Sequence, residues 1–175
     1  MPRIAPQSVA GFDPRLKELF DRATDKGANF TEQFAVMAHV RPAVDHLYPM
    51  LQVLKARGGI SPRHLELAIV TVSLLNQCTY CVESHGPRLS VQGISQEGVA
   101  TLLQWQDHAE LDATDRLVVE YAVAVTQAPQ RIRDGLFERL AQAFDDAQIV
   151  ELTLRIALCG FFNRFNQALQ IGEEH

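Results

Sequence analysis

The sequence predicts an all-α fold, and three observations predict it. Apolar residues recur at helical spacing in segment after segment. Cap residues punctuate those segments: Asp13-Pro14, Ser61-Pro62, Ser95, Asp112 and Asp134 each stand where a helix should begin. No two alternating apolar runs are joined by a hairpin signal. About seven to nine helices are expected in one domain over residues 1–175, with residues 1–12 as an N-terminal arm.

The first helix should start at Asp13, with Pro14 at its first position, and stop near Gly27. Thr31 opens a second run through Phe34 and Met37. Pro42 restarts the pattern, which continues past Leu47, Leu51 and Leu54 to Gly58-Gly59. Ser61-Pro62 then caps a strongly apolar segment from Leu65 to Leu75. Its Ile69-Val70-Thr71-Val72 could pass for a buried strand. The segment's length, and the lack of any turn signal inside it, favour a helix buried on most sides. Later helices should begin at Ser95, Asp112 and Asp134, and the last should run from about Asp146 to Gln170.

A weak internal echo links Leu65-Glu66-Leu67 with Val150-Glu151-Leu152, since each places a Glu early in a long apolar helix. Both helices look apolar over more than one stripe. Part of their surface is therefore expected between subunits of a homo-oligomer.

Composition narrows the function classes. A chain of 175 residues can bury a sizeable core, and 47% hydrophobic with 21% charged residues is ordinary for a globular protein. A net charge of −5 with no Lys/Arg block points to neither nucleic acid nor an anionic membrane surface. Met1-Pro2-Arg3-Ile4-Ala5-Pro6 lacks the apolar run of a secretory signal, and no stretch of about 18 apolar residues could span a bilayer. A cytoplasmic location is expected. Three cysteines, an odd number, argue against a structural disulfide framework.

The chemistry gathers around Cys78-Thr79-Tyr80-Cys81, with His85 after it and Glu66 before it. On an ideal helix Cys81 lies about 60° from Cys78 around the axis, and His85 about 40° from Cys81, so the three share a face. Sulfurs at this spacing near a helix start can approach within disulfide range, and the helix N-terminus favours a thiolate. Glu66 precedes Cys78 by twelve residues, about 18 Å along a continuous helix. It can join the thiols only if the chain turns near Asn76-Gln77. A Glu between two leucines also needs a partner.

In these roles a thiolate is the nucleophile, His85 takes its proton, Glu66 orients His85, and the second thiol resolves the oxidised product. A zinc site and plain core cysteines are the alternatives. Zinc usually takes four ligands, and neither a second CxxC nor an HxxxH is present. Cys159, in an apolar run with no polar neighbour in sequence, reads as a small buried hydrophobe. Tyr80 reads as a packing aromatic, and Trp105 and His108 receive no role.

Glu66, Cys78-x-x-Cys81 and His85 together resemble the signature of the alkylhydroperoxidase D-like group within the carboxymuconolactone decarboxylase family. The spacings of twelve, three and four residues agree. Asn76, Gly93-Ile94-Ser95 and Asn163-Arg164 extend the resemblance over about Phe30 to Leu169. It implies an all-helical fold, obligate oligomers (often trimers or hexamers), and peroxidase or disulfide-reductase activity without heme or flavin; no cofactor or metal is expected. By the same resemblance Cys81 attacks the hydroperoxide, Cys78 resolves it, and Glu66 and His85 relay the proton. A thiol or a lipoylated protein would supply electrons. Tyr80 stands where the best-known members carry a second His, and a phenol with a pKa near 10 does not shuttle protons at neutral pH. That departure resembles the broader peroxidase-related branch. The expected function is hydroperoxide reduction in antioxidant defence. A carboxymuconolactone decarboxylase-type lyase and a non-enzymatic redox-sensing oligomer are the alternatives. Lyases of the family generally lack the cysteine pair.

Overall fold

The computed structural model describes residues 2–24 and 30–172, and among them there are helices and turns but no strand. Nine α-helices appear in these residues: α1 (Pro14–Thr24), α2 (Thr31–Met37), α3 (Arg41–Arg57), α4 (Pro62–Leu75), α5 (Thr79–Val91), α6 (Gln96–Ala100), α7 (Ala113–Gln127), α8 (Asp134–Ala143) and α9 (Asp146–Leu169). Short 3₁₀ turns cover Val9–Gly11, Leu102–Asp107 and Pro129–Arg131. The all-α expectation holds, and the strand-like Ile69-Val70-Thr71-Val72 lies inside α4. β-Branched residues prefer strands only weakly, and burial on several sides of one helix outweighs that preference.

Two compact units are distinguished, one up to Gly58 together with the residues from Phe165, the other Gly59–Arg164. In the first, Asp13 caps α1 by accepting from the Arg15 and Leu16 amides at 3.0 Å each. The stop expected near Gly27 lies outside the described residues. Phe12, Phe20, Phe34 and Tyr48 form an aromatic cluster, with ring centroids from 4.7 to 6.1 Å apart. The N-terminal arm is tied down by its backbone: the Arg3 amide donates to Leu169 at 2.9 Å and the Gln7 amide to Ala35 at 3.0 Å.

The second unit holds the thiols. Its core is built on α4, whose Leu67, Val70 and Val72 are sealed with Leu89 of α5, Val118 and Val119 of α7, Leu140 of α8 and Leu152 and Ile156 of α9. Truncating one such residue to Ala costs about 2–5 kcal/mol, so this packing fixes the helices that carry the chemistry. Ser61 caps α4 (3.1 Å from the His64 amide) and Ser95 caps α6 (2.9 Å from the Gly98 amide). Asp112 and Asp115 form a reciprocal capping box on α7. Asp134 departs from expectation. It is the first residue of α8, behind an N-cap, Arg133, whose side chain makes no cap bond. Its charge near the helix start still suits the dipole.

Arg63, on the first turn of α4, fastens the start of that helix. Its guanidinium donates to both oxygens of the fully buried Asp115 (2.7–3.1 Å), to the Gln92 carbonyl at 2.6 Å and to the Glu110 carbonyl at 2.7 Å. A buried carboxylate needs such a partner. One side chain thus ties α4 to the end of α5 and to the start of α7. Glu66 lies one turn beyond it.

Candidate active site

The site is made by a corner between α4 and α5. Beyond Leu75 the chain caps at Asn76 and takes a left-handed conformation at Gln77, with φ of 56°. The Cys78 amide then bonds back to the Ser73 carbonyl at 2.9 Å, and the Gln77 amide to Leu74 at 3.1 Å. Those two bonds define a Schellman corner. Cys78 is its last residue and also the N-cap of α5, while Cys81 lies on the first turn of that helix. The turn required near Asn76-Gln77 is present.

The corner folds α5 back along α4, and His85 meets Glu66. Its Nδ1 lies 2.7 Å from Glu66 Oε2. Arg88, one turn further along α5, places Nη1 3.9 Å from Glu66 Oε1. Neither thiol is in a disulfide, and both are buried, Cys78 at 1% exposure and Cys81 at 4%. Cys78 Sγ donates to Cys81 Sγ at 2.7 Å. Four residues dispersed over twenty positions thus form two contacting pairs: Cys78 with Cys81 at the corner, and Glu66 with His85, which lies one turn beyond Cys81 on α5.

The electrostatics act on Cys78. The hydrogen bond to Cys81 pushes the Cys78 thiol well above its ordinary range, and burial and the Cys81 charge push the same way. The helix N-terminus was expected to favour a thiolate, yet at Cys78 the sulfur contact and burial win. Cys78 makes no cap bond with its side chain. It keeps its proton and points it at Cys81.

Helix α9 contributes a buried polar ridge that sequence reasoning left unassembled: Glu151, Arg155, Cys159 and Asn163, each four residues after the last. Cys159 is buried in the core as expected, but it has polar neighbours there. Its sulfur lies 3.5 Å from Ser73 Oγ and 3.5 Å from the Ile69 carbonyl, and burial pushes its thiol up to about 12. Asn163 accepts from Asn76 Nδ2 at 2.9 Å and donates to Ser73 Oγ at 3.3 Å. Glu151 and Arg155 pair at 3.6 Å, at 4% and 8% side-chain exposure. Burial lowers the Arg155 pKa, while Glu151 and then Glu66 act to raise it. The Glu66–Glu151 echo therefore divides in its partners: Glu66 meets His85 and Glu151 holds the buried Arg155. The i,i+4 Glu-Arg spacing on an apolar helix was a legible signal for that pair.

Among the described residues, no group of three or more His, Cys, Asp or Glu side chains is arranged to hold a metal ion. No helix in them is long and apolar enough to cross a membrane. His108 is held within its own loop, one ring nitrogen 2.9 Å from the Gly98 carbonyl and the other accepting from the Glu110 amide at 3.2 Å. It needs no further role.

Comparison with known proteins bears on the same residues. Residues 42–110 match the model of the carboxymuconolactone decarboxylase family. YnjA, an uncharacterized protein of Escherichia coli (strain K12), is 27% identical over 117 residues, which is 67% of this chain and 64% of that protein. The chain thus spans less than two thirds of that relative's length. An uncharacterized peroxidase-related protein from Ralstonia eutropha JMP134, described as an alkylhydroperoxidase AhpD core, superposes with a TM-score of 0.84 at 20% identity, covering 99% of this chain and 92% of that one. The debrominase Bmp8 superposes with a TM-score of 0.80 at 19% identity, covering 97% and 90%. The match to the carboxymuconolactone decarboxylase family model spans the segment carrying Glu66, Cys78, Cys81 and His85, and the fold is alkylhydroperoxidase D-like.

Proposed function

We propose that the protein is a thiol-dependent peroxidase and disulfide oxidoreductase. One observation carries the reading: a protonated Cys78 donates to Cys81 at 2.7 Å beside a histidine locked by a carboxylate. Cys81, as thiolate, attacks the terminal oxygen of a hydroperoxide. The O–O bond breaks, Cys81 becomes a sulfenic acid, and the alkoxide leaves with a proton from the site. Cys78 then attacks the Cys81 sulfur, forming the disulfide and releasing water. A dithiol reductant, such as a lipoyl group on a partner protein, returns two electrons and two protons.

His85 suits the proton work. With Nδ1–H donated to Glu66, the neutral ring keeps Nε2 as its acceptor. Glu66 thereby sets the tautomer and stabilises the charged ring when it forms. Tyr80, buried beside Cys81, packs rather than relays.

Assembly into a homo-oligomer belongs to the same proposal. On α9, Val150, Leu154, Ala157 and Phe161 are exposed at alternating steps of four and three, the spacing of a helix-pairing seam. By family resemblance the assembly is a trimer or hexamer in the cytoplasm.

The test is turnover of tert-butyl hydroperoxide with dihydrolipoamide. Cys81→Ser is expected to abolish it, and Cys78→Ser to stop after one sulfenic acid per chain. Full turnover in Cys81→Ser would overturn the reading. Lyase activity surviving alkylation of both thiols would favour the decarboxylase alternative. A disulfide that cycles without turnover would favour the redox sensor.

A further inference from the structure

The buried amide of Asn163 lies opposite the corner that carries the thiols. It accepts from Asn76 Nδ2 at 2.9 Å and donates to Ser73 Oγ at 3.3 Å, with Cys159 Sγ 3.8 Å from its oxygen. Both contacted residues belong to the corner. Ser73 supplies the carbonyl that holds the Cys78 amide, and Asn76 is the cap residue before Gln77. Asn163 is fully buried on α9, at a position where an aliphatic residue would fill the space without needing polar partners.

The corner needs such support. A left-handed φ of 56° is easy for glycine but strained for glutamine, because the Cβ of an L-residue crowds the following carbonyl. The backbone bonds of the corner alone do not relieve that crowding. The amide clasp from α9 holds the cap residue and the last turn of α4 from the far side.

We propose that Asn163 is a positioning residue for the thiol pair, holding the α4–α5 corner through Asn76 and Ser73 so that Cys78 stays against Cys81. The inference rests on the redox reading of Cys78 and Cys81, and it adds a residue that acts on them without touching them. The clasp keeps the two sulfurs at high effective concentration, and that concentration sets how readily they form a disulfide.

The test is the thiol–disulfide equilibrium with glutathione: reduced protein plus glutathione disulfide gives protein disulfide plus two glutathione thiols. For Asn163→Leu the equilibrium constant is expected to fall about tenfold, since a looser corner lowers the effective concentration of one thiol at the other. Adding Gln77→Gly should restore most of it, because glycine holds the left-handed turn unaided. If Asn163→Leu does not fold, Asn76→Ala breaks the same bond from the half-buried side and should show the same fall. An unchanged constant in the folded variant, or a fall that Gln77→Gly does not reverse, would overturn the proposal. No peroxide enters the measurement. Failed peroxide turnover would therefore sink the peroxidase reading while this constant still reports on the corner.

Discussion

Two corners flank α5, built alike and used differently. At the far end the Gly93 amide bonds to Ser90 at 3.0 Å and the Ile94 amide to Leu89 at 3.4 Å, the same pair of bonds that closes the α4–α5 corner. Each corner is clasped by a side chain from elsewhere: Arg63 donates to the Gln92 carbonyl at 2.6 Å, and Asn163 accepts from Asn76 at 2.9 Å. The left-handed residue is Gly93 in one and Gln77 in the other. The residue after it, which this motif usually makes apolar and buried, is Ile94 in one and Cys78 in the other. The α5–α6 corner is thus a structural joint. In the α4–α5 corner the slot kept for a packing residue holds a thiol.

Breaking the chemistry beside the α4–α5 corner gives the largest expected effect. His85→Ala should cut peroxide turnover by about 10²–10⁴, the usual contribution of a positioned acid–base group, while the chain still folds, at a lower thermal midpoint because Glu66 loses its nearest partner. Initial rates and a melt on one preparation check both halves.

Breaking the joint gives the opposite pattern. Gly93→Val puts a β-branched residue at φ of 91°, with its Cβ 3.4 Å from Arg63 Nη1. Stability should fall by at least about 1–2 kcal/mol, read by urea denaturation, with turnover per folded molecule preserved.

A pH series sharpens the difference further. The folded state holds the Cys78 thiol protonated above its ordinary range, and Cys159 up to about 12, both in or behind the α4–α5 corner. As pH rises above about 9 the unfolded chain releases those protons and the folded chain does not, so stability should fall there. The double substitution of Cys78 and Cys159 by Ser should flatten that loss, while Gly93→Val should leave it in place.

The smallest effect separates the corners' backbones. Gln77→Gly should stabilise the protein by about 0.5–1 kcal/mol, since the left-handed residue loses its strain and glycine's freedom in the unfolded chain offsets part of the gain. No stabilisation would mean that Gln77 carries no strain.

The two corners also show what was legible. Gly93 announces its turn, and a helix stop near it could be read directly. Gln77 announces nothing, and the α4–α5 turn followed only from the need to bring Glu66 to the thiols. α9 ends the same way, at Gln170 with φ of 54° followed by the buried Ile171, so composition alone does not locate this motif. Glu66, Cys78, Cys81 and His85 were legible because each is a reactive group at a fixed spacing. Asn163, Ser73 and Arg88 were not, because their roles depend on which helices lie opposite one another. The burial of Cys159 was legible, but its polar neighbours were not, since they are distant in sequence and adjacent in space.

The most direct measurement is a count of free thiols after one equivalent of hydroperoxide. The wild-type chain should lose two, at Cys78 and Cys81, and form one intramolecular disulfide that dithiothreitol reverses. The Cys78→Ser chain should instead trap a sulfenic acid on Cys81. Survival of both Cys78 and Cys81 in the wild type, or loss of Cys159 in their place, would contradict the account.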